Sequence, residues 1–390
     1  MFLILLCIAV FLSTVGNTTL IIAIATDIYH KTDSVTIAST IYSSQWLFPI
    51  VLSPIATYLC YKFQPKFLLL WAELAACCFV VFIGYLYYEN PYLTLIFLVI
   101  RGFIDILVKS VRVIMVKLYY ESKGLENAFT TISGGFILGA GVAGLLASLL
   151  IARYNIFQIS FISAFLILLA CIIYSVLIYL VRNLKVPVFA NPKEKFFTRI
   201  RNALKSNDLI LKNLILIFTV VGFYQGYHTL ARTPFAIDFL GLKETGPAWI
   251  QVIAILGICA GAIIIWLLTY KKYKWKLLGP VTFFAAAFTM LLTWVSKIPE
   301  ISFLFYFLFM LFYEMAFLLF NKNLVVLCPR EHMPIISILI NAGSLALMTI
   351  LVTLGSLIAD ASNLFISTSL MAVTAIGIYV LVNKNIKKTV

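Results

Sequence analysis

The chain has 390 residues, 29 of them Lys or Arg against 15 Asp or Glu, for a net charge of +14, and 63% of it is hydrophobic. A water-soluble domain of this length cannot hide so much apolar surface in its core. The surplus of bases therefore points to orientation in a membrane and not to nucleic acid.

Twelve apolar stretches follow one another, and about 20 apolar residues suffice to cross a bilayer as a helix. They run roughly over 3–28, 35–61, 67–88, 92–116, 128–150, 158–181, 214–238, 246–270, 277–296, 301–322, 335–358 and 363–382. The pattern predicts an all-α polytopic membrane protein with 12 transmembrane helices. Met1 to Cys7 has neither a basic start nor a small-residue cleavage site, so no signal peptide is expected. Bases alternate in density from one connection to the next. Lys62, Lys66, Lys117, Lys123, the segment 182–213, Lys271, Lys272, Lys274, Lys276, Arg330 and the tail lie on one side; Lys31, Arg153, Lys243 and Lys297 lie on the other. The positive-inside rule then places both termini in the cytoplasm of a cell whose inner membrane the chain crosses.

The cysteines sit within spans or at their ends, which suggests no disulfide framework, and the three histidines have no metal-ligand spacing. No nucleophile elbow, phosphate loop or zinc signature is present. Neither enzyme chemistry, nor a cofactor, nor a metal is expected.

The segment 182–213 is polar, and Phe196, Phe197, Ile200 and Leu204 recur in it at helical spacing among bases. This predicts a short amphipathic helix on an anionic leaflet. It divides the chain into an N-terminal six-helix bundle, 1–181, a linker, 182–213, and a C-terminal bundle with a short tail, 214–390. A weak repeat links the halves. An offset of 209 residues carries Tyr61-Lys62 onto Tyr270-Lys271 and Asp105 onto Glu314; an offset of 211 carries Asp27 onto Asp238 and Asn17 onto His228.

Charge at membrane depth costs at least a few kcal/mol unless water or a partner receives it. Arg101, Asp105, Lys109 and Arg112 share one helical face of span 4. Asp105 reads either as a proton-coupling carboxylate held ionised by Arg101 and Lys109 or as one rung of a static ion-pair ladder. Arg101 alternatively attracts an anionic cargo. Glu314 stands without a nearby cation in span 10. Burial disfavours its charge, which makes it a second proton-carrying candidate or else a neutral hydrogen-bond donor. In span 7, Tyr224, Gln225, His228 and Arg232 offer a polar wall below a Pro234 bend, with His228 able to titrate in the physiological range. Asn17, Gln45 and Trp46 are expected to join it. In span 5, Gly135, Gly139, Gly141 and Gly144 leave a groove for close helix approach, suited to sliding or to plain packing.

Residues 53–73, SPIATYLCYKFQPKFLLLWAE, resemble the loop motif between spans 2 and 3 of the major facilitator superfamily. Lys62, Lys66 and Glu73 keep basic and acidic positions, but Tyr61 stands where that motif has aspartate. Arg112 with Asn127-Ala128, the glycines of span 5, and Asn321 with Pro329-Arg330 are similar to the third drug:proton antiporter family, the macrolide-efflux and enterobactin-exporter group. The resemblance implies gating roles for Tyr61, Lys62, Lys66, Glu73, Lys109, Arg112 and the span-5 glycines. It also implies proton-coupled efflux of an amphipathic small molecule, such as an antibiotic, siderophore or short modified peptide, by alternating access. Proton-symport uptake of a small solute, and a non-transporting sensor on a transporter frame, are the alternatives. Expected partners are cargo, protons and membrane lipid, with the chain a monomer.

Overall fold

A computed structural model describes residues 2–32, 46, 49–120, 124–151, 153–180, 182, 196–242, 246–271 and 277–386. Gln45 and the greater part of the linker's first half lie outside them. Among the described residues there are helices and connections and no strand.

Helices α1 (Phe2–Thr32), α2 (Ser53–Lys62), α3 (Pro65–Glu89), α4 (Pro91–Tyr119), α5 (Leu125–Ile151) and α6 (Ile156–Leu180) form the first series. A short helix, α7 (Phe196–Lys205), follows. Span 7 then runs through α8 (Asp208–Thr219), a π turn (Val220–Gln225), α9 (Gly226–Pro234) and a second π turn (Phe235–Phe239). After it come α10 (Gly246–Tyr270), α11 (Leu278–Leu292) and α12 (Pro299–Leu327). Span 11 comprises α13 (Met333–Ile338), a π turn (Leu339–Gly343) and α14 (Ser344–Ala361), and α15 (Leu364–Ile386) closes the chain.

The boundaries have local causes. Proline opens α2, α3, α4, α12 and α13, at positions where its missing N–H costs nothing. Asn90 caps α4 by accepting the Leu93 N–H at 3.1 Å, and Asn207 caps α8 by accepting that of Leu209 at 2.8 Å. Pro234 removes a helical donor inside span 7, and the π turn follows it directly. Nine of the described helical stretches are long and apolar enough to cross a membrane, and α11 is a shorter apolar helix. Helix α4 has 29 residues, enough to cross, but its charges dilute the apolar signal.

The chain divides into two compact units. The first holds Met1–Ala203 with Pro329–Ala346, the second Leu204–Cys328 with Leu347–Val390. In the first, α1 packs on α5 and α6, and α3 on α4 and α6. One end of its core is made by Leu20, Ile24, Val80, Ile83, Leu98, Ile159 and Ile167. In the second, α12 packs on α8, α10 and α11, and α15 packs on α8 and α11. Its interior is aromatic: Tyr224, Tyr227, Phe235, Phe283, Tyr306 and Phe309 are fully buried.

Candidate functional site

In the first unit, α1, α3, α4 and α6 converge on a hydrogen-bonded chain of polar groups. Arg112 of α4 and Glu73 of α3 form an ion pair at 2.5 Å, both buried. Ser13 of α1 ties it together. Its hydroxyl lies 2.8 and 3.0 Å from the two Glu73 oxygens, accepts from Arg112 at 2.7 Å and accepts from Asn17 Nδ2 at 3.3 Å. The Arg112 Nε–H donates to the Tyr174 hydroxyl at 3.1 Å. Farther along α4, Arg101 donates to both the backbone and side-chain oxygens of Asn17, at 3.0 and 2.9 Å. The chain thus runs Arg101–Asn17–Ser13–Glu73/Arg112–Tyr174 within one unit. Arg101, so held, is only 1% exposed.

Asp105 and Lys109 are drawn apart from this chain. They pair with each other at 2.7 Å, one turn apart and partly exposed, with the Lys109 ammonium over the Phe136 ring. The four charges of span 4 therefore split into a buried set on α1 and α3 and a partly exposed pair.

In the second unit, a polar row crosses the aromatic interior. Tyr313 donates to Gln225 Oε1 at 2.9 Å, His228 Nδ1 meets the Tyr306 hydroxyl at 2.6 Å, and Arg232 donates to Gln251 Oε1 at 3.0 Å. Tyr224 is fully buried, and its hydroxyl donates to the Phe283 carbonyl at 3.0 Å.

Glu314, beside Tyr313 on α12, is 3% exposed, and its Oε1 has no hydrogen-bond partner among the described residues. It sits where α10 comes closest to α12. A Cβ added at Gly261 would lie 2.5 Å from the Leu311 carbonyl oxygen and 3.2 Å from Glu314 Cβ, and one at Gly257 would lie 2.5 Å from the Phe307 carbonyl oxygen. The two glycines, four residues apart, let the backbones meet.

Of the expected gating residues, Glu73 and Arg112 lie in the buried chain, Lys109 pairs with Asp105, and the rest occupy two further regions. Gly135 and Gly139 face α1: added Cβ atoms would lie 2.9 Å from the Cys7 oxygen and 2.8 Å from the Phe11 oxygen. Gly141 is buried and Gly144 half-buried on the same helix. At the end of α2, Tyr61 is buried and donates to the Glu331 carbonyl at 2.8 Å. Lys62 lies over the Tyr58 and Phe63 rings and Lys66 over Phe67. Trp46 is half-buried.

Several contacts have no counterpart in the sequence reading. Ser110 donates to the Ser337 carbonyl at 3.3 Å, Ser337 donates to that of Ser110 at 3.1 Å, and Asn341 Nδ2 reaches Ser110 Oγ at 3.2 Å. Ser13, Tyr174, Gln251 and Tyr306 were equally silent. Only Gly257 and Gly261 carried a readable signal, a small-xxx-small pair in an apolar helix. Among the described residues no three His, Cys, Asp or Glu side chains cluster to hold a metal ion.

No curated protein matches the sequence. Among solved structures the chain is similar to the E. coli fucose:proton symporter FucP in its outward conformation. The TM-score is 0.72 and the identity 14%, over 98% of this chain and 97% of that one. It is also similar to the human organic anion transporter MFSD10 (TETRAN), with TM-score 0.78 and 9% identity over 97% and 98%. At such identities the likeness is one of fold. The sequence itself matches the Major Facilitator Superfamily family model over residues 6–353, and with an all-helical membrane architecture the chain belongs to that superfamily of transporters.

Proposed function

We propose that the chain exports an amphipathic small molecule, such as an antibiotic, siderophore or short modified peptide, by proton antiport and alternating access, in the manner of the third drug:proton antiporter family. The observation that carries the reading is Glu314, a buried acid with an unpartnered oxygen in the middle of a membrane helix. An intramembrane carboxyl without a counter-charge is costly, and proton exchange is what such a group does best. Asp105 is the second proton site: displacing Lys109 from it would admit a proton, and the return of Lys109 would release it. His228 is the third candidate. Gln225 and Arg232, with Asn17, Gln45, Trp46 and Arg101 from the N-terminal half, shape the cargo site, and Tyr61, Lys62, Lys66, Glu73, Lys109, Arg112 and the α5 glycines gate it. The chain works as a monomer of two six-helix halves, 1–181 and 214–390, in the inner membrane with both termini cytoplasmic.

Proton-symport uptake uses the same acids with the opposite cargo direction, and the likeness to a fucose:proton symporter keeps it as the second reading. Proton release or uptake by the purified protein, measured on adding candidate cargos, tests both. Cargo-triggered proton release in the wild type, lost in Glu314→Gln or Asp105→Asn, is the expected result. Cargo-triggered uptake turns the reading to symport. Release that persists in both variants removes the two acids from the coupling role.

A further inference from the structure

Arg232 of α9 brings a positive charge into the second unit, where it is partly buried. The charge of Arg112 in the first unit is balanced by Glu73. Among the described residues, no acid forms an ion pair with Arg232. Its Nη1 donates instead to a neutral oxygen, Gln251 Oε1 on α10, at 3.0 Å. That bond orients the guanidinium and leaves its other edge, Nε–H and Nη2–H, without a hydrogen-bond partner among the described residues. Neither nitrogen is sealed in the interior. Gln225 repeats the arrangement. Its Oε1 accepts from Tyr313 at 2.9 Å, and its Nε2 has no partner among the described residues and is not sealed either. Gln225, His228 and Arg232 follow spacings of three and four, so they share one helical face. From Gln225 to Arg232 that face runs about 10 Å along the axis. The groups that Gln225 and Arg232 leave unused on it are all donors.

We infer that Arg232 is the seat of a carboxylate on the cargo, which makes the transported class amphipathic monocarboxylates with a neutral acceptor group that meets Gln225. The inference deepens the export reading and rests on it, because it takes this face of α9 as part of the cargo site. The Nε–Nη2 edge presents two parallel N–H bonds at the spacing of two carboxylate oxygens, the arrangement in which arginine binds most specifically. A cation at membrane depth without a counter-charge is costly, and one bound monoanion removes that cost. A dianionic phosphate leaves a charge unbalanced beside the aromatic interior. An amine meets a like charge and finds donors where it needs acceptors. Gln251 is a positioning residue: it holds Nη1, so that the opposite edge stays free for the cargo.

The test uses the full chain in detergent and two probes that differ by one charge, dansyl-aminohexanoate and its neutral primary amide. The sulfonyl oxygens of both supply the second acceptor, and dansyl fluorescence reads the affinity of each at equilibrium. The wild type binds the acid at least about 10-fold more tightly than the amide, the size expected for hydrogen bonds to a charged partner. Arg232→Gln loses that preference and keeps the amide at wild-type affinity, which also reports that the variant is folded. Arg232→Lys keeps the charge without the two-donor edge and retains part of the preference. Gln225→Ala weakens both probes by about 3-fold, as for one neutral hydrogen bond in a membrane, and leaves the preference intact. Equal affinity for acid and amide in the wild type, no saturable binding of the acid, or an undiminished preference in Arg232→Gln overturns the carboxylate seat. If Arg232→Gln binds neither probe, Arg232→Lys decides: a reduced preference supports the seat and a full one overturns it. Unchanged affinities in Gln225→Ala overturn the second contact. No proton is read in this experiment, so its failure leaves the antiport reading standing, and acid binding without proton release counts against antiport alone.

Discussion

Ser13 has one proton and three polar neighbours. It donates to one Glu73 oxygen at a time and accepts from Arg112 and Asn17, so it cannot be swapped for an apolar residue without leaving part of the buried chain unsatisfied. The ion pair beside it obeys a harsher rule, because deleting one charge strands the other in a dry interior. Breaking such a pair costs about 3–5 kcal/mol, and losing a neutral hydrogen-bonding partner about 1–3 kcal/mol. Glu73→Gln is therefore expected to lower the unfolding midpoint in detergent more than Ser13→Ala, with the double variant close to Glu73→Gln alone because the two share one network. Additive losses would dissolve the network. Glu73 and Arg112 were legible in the sequence because charge is rare in an apolar helix. Ser13 was not, since a serine in such a helix ordinarily satisfies itself on its own backbone, as Thr14 does on Val10.

At the scale of elements, the close approaches define the packing. Gly135 and Gly139 admit the backbone of α1, and Gly257 and Gly261 admit that of α12. Gly134 is the natural control, since a Cβ there meets nothing within 4 Å. Gly261→Leu and Gly139→Leu are expected to destabilise by about 1–3 kcal/mol or more through overpacking, and Gly134→Leu to be tolerated. Folded yield and melting temperature by size-exclusion chromatography decide it, and equal damage at all three sites would reduce the seams to a general helix-propensity effect. The described helices were readable to within several residues, because a run of apolar residues ended by proline or asparagine leaves little choice. The α5 seam was readable as a run of glycines. The partner of a seam was not, because a glycine records that something approaches and not what does. For the same reason the π turns beside Gln225 and Asn341 left no trace in apolar periodicity, whereas Pro234 announced the third.

For the whole molecule, the order of spans was legible from hydropathy, and the superfamily, though not a family within it, from scattered motifs, yet the path of span 11 was not. The chain enters the first unit at Pro329 and leaves it at Ala346, with flanking residues on both sides belonging to the second. Apolar composition is the same on either route, so only long-range polar contacts distinguish them. Here they are the Tyr61 hydroxyl on the Glu331 carbonyl, the reciprocal bonds of Ser110 and Ser337, and Asn341 on Ser110. Because each serine donates to the other's carbonyl, Ser110→Ala or Ser337→Ala alone leaves one of the two bonds in place, while the double variant removes both. Interhelical hydrogen bonds in membranes average about 0.6 kcal/mol, so Ser337→Ala, which removes one bond, is expected to speed amide exchange in peptides from 329–346 by about 3-fold, and Ser110→Ala, which also removes the Asn341 contact, by about 8-fold. The double variant, which removes all three, should speed it by about 20-fold. Peptides from α10, which make none of these bonds, should exchange at the wild-type rate. If exchange in 329–346 does not respond, the segment is held by its apolar packing on α2 and α4, and the serines are passengers. If α10 speeds up in parallel, opening is global and the segment has no separate latch. A local, graded response would identify Pro329–Ala346 as a piece of one unit that can be released on its own, which is the kind of element alternating access requires.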